Sequence, residues 1–304
     1  MGAEFVQLSL TPLVIAVLAA VTCAMPGNFL ILRRQALIGD AISHVVLPGI
    51  VVGFIITGSV TTWPMMLGAG AAALIAVAMI EAIKRLGKIE PGAAMGVAFT
   101  AMFAAGVLLL EQSNTASVHL DVEHALFGNL ESLIWFDGLG WASLLDPSAL
   151  AQLPPELFRM ASVAVIMIIA TILFWRPLVM ATFDEAFAAS VGIPVNLLSL
   201  MLVVFAAIAA VAAFDAVGSI IVIAMFICPP ATARLLTDRM GVQVLISALV
   251  AAVCAVVGYV VAGYAPLWLG FDNSVSASGM IATVSGVALG LAVAFGPRRR
   301  QVAG

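Results

Sequence analysis

An aspartate and a histidine stand four residues apart in the stretch GDAISHVVLPGI, residues 39–50. On a helix that spacing puts Asp40 and His44 on one face, one turn from each other. A carboxylate and an imidazole so placed suit a divalent ion such as Zn²⁺, Mn²⁺ or Fe²⁺. Two donors do not complete a site: zinc wants about four ligands and manganese about six, mostly oxygens. The missing donors must come from other helices or from a second subunit across a symmetry axis. Pro48 can loosen the helix ladder and release a carbonyl as one more donor. Gly39, Ala41, Ser43, Gly49 and Gly53 are small enough to let another helix come close. The pair also has a structural reading: a hydrogen bond between Asp40 and His44, or an aspartate placed at a helix start.

These two residues are set in a strongly apolar chain. Of its 304 residues 63% are hydrophobic and 9% charged, against roughly a quarter charged in soluble domains. Mean hydropathy is +1.20. Apolar runs of about 20 residues recur, each long enough to cross a hydrocarbon core of ~30 Å as a helix. Strand-period alternation is absent, which sets a β-barrel aside. The sequence therefore predicts an all-α, polytopic helical membrane protein. Spans are expected near 7–26, 36–57, 62–83, 92–111, 158–178, 194–213, 217–236, 241–263 and 274–296, about nine in all, with eight as the alternative. At such depth an aspartate costs about 2.5–3.5 kcal/mol, and residues that carry this cost usually mark an ion or substrate path.

Charge orients the layout. With the N-terminus outside, Arg33-Arg34, Lys84-Arg85, Lys88, Arg176, Arg234, Arg239 and Arg298-Arg299-Arg300 all face the cytoplasm, as the positive-inside rule asks. Eleven of the twelve basic residues then share one side, and Arg159 is the exception. The C-terminus is expected to be cytoplasmic. No Lys or Arg precedes Arg33, so the first helix lacks the basic region of a cleaved signal and is read as retained. Pro229-Pro230 interrupts the seventh span and predicts a broken helix there. The whole chain, 1–304, reads as one transmembrane domain with no soluble domain.

The segment 112–157 reads as extracytoplasmic. It holds no Lys or Arg but six acids. Within it, 124–145 is expected to form an interfacial or re-entrant hairpin with Trp135 and Trp141 at headgroup level. His119, Asp121, Glu123 and His124 form a candidate outer metal funnel, or a solvated docking loop. Glu111 and Asp215 are solvated helix ends or weaker ligand candidates. Cys23, Cys228 and Cys254 lie in apolar runs with no metal spacing, and read as packing residues.

No energy source is encoded. There is no GxxxxGK[ST] phosphate loop, no HExxH, no GxSxG and no GxGxxG after a strand. Active transport would need an ion gradient or a separate motor. FDEAFAASVGIPV, 183–195, is a candidate contact for such a motor. Asp184 and Glu185 open a short helix, where the macrodipole favours acids, and Gly192 with Pro194 stops it. It is either a lever lying on the cytoplasmic surface or a plain surface helix.

Together these stretches resemble the integral-membrane permeases of ABC transporters for zinc, manganese and iron, the ABC-3 family. FLILRRQALIGDAISHVVLPGI (29–50) is similar to that family's signature, an arginine pair followed by Gly-Asp-Ala-x-Ser-His and Leu-Pro-Gly. FDEAFAASVGIPV is similar to its coupling segment. AVGSIIVIAMFICPPATARLLTDRM (216–240) resembles its glycine-to-PxATARLL stretch, and VEHALFGNLES (122–132) its outer LFG segment. The likeness runs over nearly the whole chain. It implies a transport subunit that is not itself an enzyme and holds no permanent cofactor. Asp40 and His44 would lie on the path of a manganese, iron or zinc ion, and Asp184, Glu185 and Gly192 would couple to cytoplasmic ATP-binding subunits. It further implies a second permease subunit, identical or homologous, and an extracytoplasmic metal-binding protein that delivers the ion. No nucleic acid is involved. The setting is the bacterial cytoplasmic (inner) membrane, and LLDPSALAQLPPELFRM (144–160) looks more like the manganese/iron branch than the zinc branch. Two other classes stay open on the residues alone: a gradient-driven secondary metal transporter, and a membrane-embedded metalloenzyme built on Asp40 and His44.

Overall fold

The computed structural model describes residues 2–57, 62–112, 128–268, 270 and 275–297. The protein is an all-α, multi-pass membrane protein, and no strand occurs among the described residues. Its helices are α1 (Thr11–Leu32), α2 (Leu37–Thr57), α3 (Thr62–Gly87), α4 (Pro91–Gln112), α5 (Pro155–Leu173), α6 (Trp175–Phe183), α7 (Glu185–Ser190), α8 (Val195–Leu236), α9 (Met240–Trp268) and α10 (Ala277–Phe295). Eight stretches among the described residues are long and apolar enough to cross a bilayer: Val6–Leu32, Pro64–Lys84, Gly92–Leu109, Pro155–Leu173, Val195–Phe214, Ala216–Leu236, Met240–Pro266 and Ala277–Phe295. The 21-residue α2 adds its own apolar stretch, Pro48–Thr57.

The centre of the bundle is α1 against α8. Ile15, Ala16, Ala19, Ala20, Cys23 and Ala24 of α1 are fully buried, as are Leu202, Ala206, Ala209, Ala210 and Ala213 of α8. Small side chains on both helices bring the backbones close, the usual way helices associate when lipid removes the hydrophobic drive. Helix α8 also packs on α2, α5, α9 and α10. Helix α2 is held by α3 and α4 on its other side. Gly49 and Gly68 meet there backbone to backbone, and the ring of Pro48 rests on Gly106.

Helix α8 has 42 residues, roughly 63 Å if straight and about twice the hydrocarbon thickness. It is not straight. Gly218 has φ 76° and ψ 171°, a combination essentially confined to glycine. Contacts with α1 show that the chain doubles back there. Cys23 Sγ lies 4.0 Å from the carbonyl of Ala209, and Arg33 reaches Ser199, both on the first limb. Gly27 abuts Phe226 and Pro230 on the second limb. The two limbs therefore run side by side along α1.

This moves the helix break from where the prolines announce it. Pro229 and Pro230 lie inside the second limb with helical backbone, and the one non-helical residue of α8 is Gly218. Proline removes a donor, so the Phe226 carbonyl loses its helical partner at Pro230. That carbonyl is covered instead by the Cα of Gly27, where a side chain would collide. A Cα–H···O contact of this kind is a recurring feature of close helix pairs.

The break at Gly218 is itself clasped. The Val217 carbonyl accepts a hydrogen bond from Ser278 Oγ on α10 at 3.1 Å. Gly128, from the segment between α4 and α5, packs against the Val217–Gly218 peptide. Ser278→Ala leaves that buried carbonyl short of a donor. The expected cost is about 1–3 kcal/mol, read as a lower thermal midpoint of the purified protein; Ser278→Thr keeps the hydroxyl and should lose less.

The segment that begins at Gly128 folds onto the N-terminal turns. Trp135 N–H donates to the Gln7 carbonyl at 3.0 Å, and Gln7 Nε2 donates to the Phe136 carbonyl at 3.1 Å. Glu131 accepts the Ala277 N–H at 3.0 Å, satisfying one of the free donors that open α10. Trp135 is packed inside the protein and not presented at its surface: it is 0% exposed, against Val6 and Ala149. Its indole N–H finds the Ala149 carbonyl at 2.8 Å, so burial leaves no donor unpaired. Trp141 is exposed.

Candidate functional site

Positions 40 and 44 lie one turn apart on α2, whose helical backbone is continuous from Leu37 to Thr57. Their side chains lie outside the described residues, as do His119, Asp121, Glu123 and His124. The frame around the pair is described. Ile38, Ala41, Val45 and Val51 are buried, so the side of α2 that carries them packs inside the bundle. Gly39 faces the ring of Phe226, and a Cβ there would stand 2.7 Å from Phe226 Cγ. Phe226 thus touches α1 through its carbonyl and α2 through its ring, fixing the turn of α2 that carries position 40 against the second limb of α8.

Proline again removes a donor at Pro48, which lies inside α2. By helical register the acceptor left over is the carbonyl of residue 44. The histidine position therefore owns both an imidazole and a released backbone oxygen on the same residue. Among the described residues, no group of three or more His, Cys, Asp or Glu side chains converges. Glu111 is exposed at the end of α4, and the side chain of Asp215 lies outside the described residues. Cys23 and Cys254 are buried free thiols, and Cys228 is half-buried.

The segment 183–195 forms the short helix expected of it. Asp184 is the N-cap of α7, its carboxylate accepting the Phe187 N–H at 2.9 Å. That makes Asp184 first a capping residue. Gly192 has φ +83°. The Ile193 N–H returns to the Ala188 carbonyl at 3.0 Å and the Gly192 N–H to Ala189 at 3.1 Å, the paired bonds of a Schellman stop. Ala188 is buried and anchors the helix. Phe183 at the end of α6, Phe187 on α7 and Val191 just after it are each more than half exposed. Glu185 is exposed beside them. Exposed apolar side chains on and beside α7, next to an acid, are suited to contact with another protein.

Sequence reading missed three features of this frame. One is the break at Gly218, whose signal, a glycine inside an apolar run, was overshadowed by the proline pair downstream. Another is the exposure of Phe183, Phe187 and Val191 on and beside α7. The third is Arg33, whose partners are remote in sequence.

Asp146, between α4 and α5, has its carboxyl held below the usual carboxylate range by hydrogen bonds from the side chain and backbone of Ser148.

Comparison with known proteins covers nearly the whole chain. The profile of the ABC 3 transport family matches residues 6–135 and 148–296. The manganese transport system membrane protein MntD of Bacillus subtilis is 38% identical over 281 residues, 92% of this chain and 90% of that protein. The zinc transport system membrane protein TroD of Treponema pallidum is 34% identical over 289 residues, 95% of this chain and 74% of that protein. Among solved structures, PsaBC from Streptococcus pneumoniae in complex with Fab superposes with a TM-score of 0.76 at 26% identity, covering 96% of this chain and 93% of that one. A metal-chelate type ABC transporter in an inward-facing conformation shares the fold at a TM-score of 0.65 and 16% identity, over 96% of this chain and 87% of that one.

Proposed function

Since the chain belongs to the ABC 3 transport family, we propose that it is the membrane-spanning permease subunit of an ATP-driven importer of a divalent metal ion, with manganese as its first cargo and zinc and iron as competitors. It is a transport subunit and not an enzyme. The observation that carries the cargo class is the end-to-end likeness to permeases named for manganese and zinc transport. The whole chain acts as one permease unit of nine spans in the cytoplasmic (inner) membrane, N-terminus out and C-terminus in, with α2 as the ninth span.

The metal arrives from an extracytoplasmic binding protein at a cavity between this chain and a second permease subunit. Asp40 and His44, with the released carbonyl of residue 44 and donors from the partner, replace part of its hydration shell. The set must bind well enough to strip water and loosely enough to release the ion. ATP hydrolysis takes place on separate cytoplasmic subunits that dock on α7, through Phe183, Phe187 and Val191 with Glu185 at the rim. The sequence motifs for phosphate binding are missing here, and the exposed Phe183, Phe187 and Val191 offer apolar surface to a docking motor.

Reconstitution tests this directly. Proteoliposomes holding the permease alone should show no manganese uptake, while permease with its ATPase and ATP should accumulate manganese ahead of zinc and iron. Gradient-driven uptake without the ATPase would make the protein a secondary transporter instead. Glu185→Ala, or Gly192→Val, which forces a branched residue into a left-handed backbone at about 1–2 kcal/mol, should weaken co-purification of the ATPase. Unchanged co-purification in both would remove α7 from the contact.

A further inference from the structure

The turn between α1 and α2 is closed by an unusual residue. Arg34 takes φ 57°, the left-handed position that glycine normally fills after a helix. The Arg34 N–H bonds to Ile31 at 3.0 Å and the Gln35 N–H to Leu30 at 2.8 Å, so the last turn of α1 is firmly wound. The Ile38 N–H then bonds to Gln35 at 3.0 Å. This short bonded path leads from α1 into α2 and reaches position 40 within one further turn.

Arg33 is the C-cap of α1, just ahead of that turn. Its guanidinium is half-buried and reaches into the corner formed by α6, α7 and α8. Nε donates to Thr182 Oγ1 at 3.1 Å, in the last turn of α6. Nη1 donates to Ser199 Oγ at 2.7 Å, near the start of α8. Those two helices are the ones that flank α7. Nη2 is buried and has no hydrogen-bond partner among the described residues. Burial lowers the guanidinium's pKa, and the Glu185 carboxylate works the other way; arginine remains charged regardless.

We propose that Arg33 is the positioning residue that transmits movement of α7 to α2: its fork ties the α6–α8 corner to the bonded turn ahead of Asp40, and Nη2 is the donor held ready for Glu185 when α7 shifts. The proposal rests on α7 being the ATPase contact. A displacement of the corner must carry Arg33 with it or break two hydrogen bonds to a charged donor. Because the fork is planar and rigid, a lysine preserves the charge and loses the linkage.

The test is manganese uptake per ATP hydrolysed by the assembled complex in proteoliposomes. Arg33→Lys should lower that ratio roughly fivefold to tenfold, the scale of a lost coupling interaction. The pair Thr182→Val with Ser199→Ala, which leaves Arg33 in place, should do the same. In both, ATPase co-purification and thermal midpoint should match the unaltered complex. Arg33→Gln and Glu185→Gln should be non-additive when combined. A normal ratio in Arg33→Lys and in the Thr182/Ser199 variant overturns the proposal, as does a loss explained wholly by lower assembly. Strict additivity overturns the role given to Nη2. Phe187→Asp is the separate check on the docking surface: if that complex still co-purifies, α7 is not the ATPase contact, whatever Arg33 does.

Discussion

Asp40→Ala and His44→Ala each reduce ATP-driven manganese uptake to the leak of empty vesicles, at unchanged abundance in the membrane. The size of the effect follows from ligand chemistry. Disturbing residues that merely support a metal ligand costs roughly 10–100-fold in affinity, so deleting a ligand should cost at least that much. Stability should move differently. An aspartate at membrane depth is a burden of about 2.5–3.5 kcal/mol, and alanine relieves it. The expected signature of Asp40→Ala is therefore a thermal midpoint that holds or rises while transport disappears. A pair that only hydrogen-bonded to each other would behave oppositely, losing stability and keeping transport. Asp40→Asn sharpens the distinction, because it keeps the shape and the hydrogen-bonding capacity but loses the charge that holds a divalent ion. Full uptake by both alanine variants takes the pair off the path.

The apolar runs and the basic clusters foretold the helices because hydrocarbon thickness imposes a length that any sequence must meet. The short helix in 183–195 was equally legible: acids that open a helix and a glycine that stops it are local devices, and α7 runs between them. What lay beyond reach depends on tertiary partners. Pro229 and Pro230 advertise missing donors, yet the chain passes through them as helix, because Gly27 covers the freed Phe226 carbonyl from a neighbouring element. Trp135 resembles an interfacial anchor until the Ala149 carbonyl supplies its indole with a buried acceptor. The ring of Phe226 on Gly39 fixes α2 beside position 40, and the two residues are far apart in the chain. Arg33 reads as a topogenic charge, and its bonds to Thr182 and Ser199 emerge only when α6 and α8 fold against the end of α1.

Gly218→Ala is expected to unmake the reversal of α8, and with it both folding yield and transport. At φ 76° and ψ 171° a Cβ meets its own backbone, a strain of order 1–3 kcal/mol at one residue. The relaxed alternatives are worse than that figure suggests. Returning residue 218 to a helical backbone would join the limbs into one rod of roughly 63 Å, which a bilayer cannot match and which would pull Phe226 and Pro230 away from Gly27. Moving the turn by a residue would take the Val217 carbonyl from Ser278 and the Val217–Gly218 peptide from Gly128. Each route exposes polar backbone where no water reaches it, at several kcal/mol per unsatisfied group. The control is Gly70→Ala, within α3 and facing open space. There a Cβ meets nothing, and alanine should stabilise by about 0.5–1 kcal/mol. The measurement is thermal unfolding of both variants alongside manganese uptake. A Gly218→Ala protein that melts and transports like the unaltered chain would mean that the reversal is held by the packing of the limbs on α1 and not by the backbone of this residue.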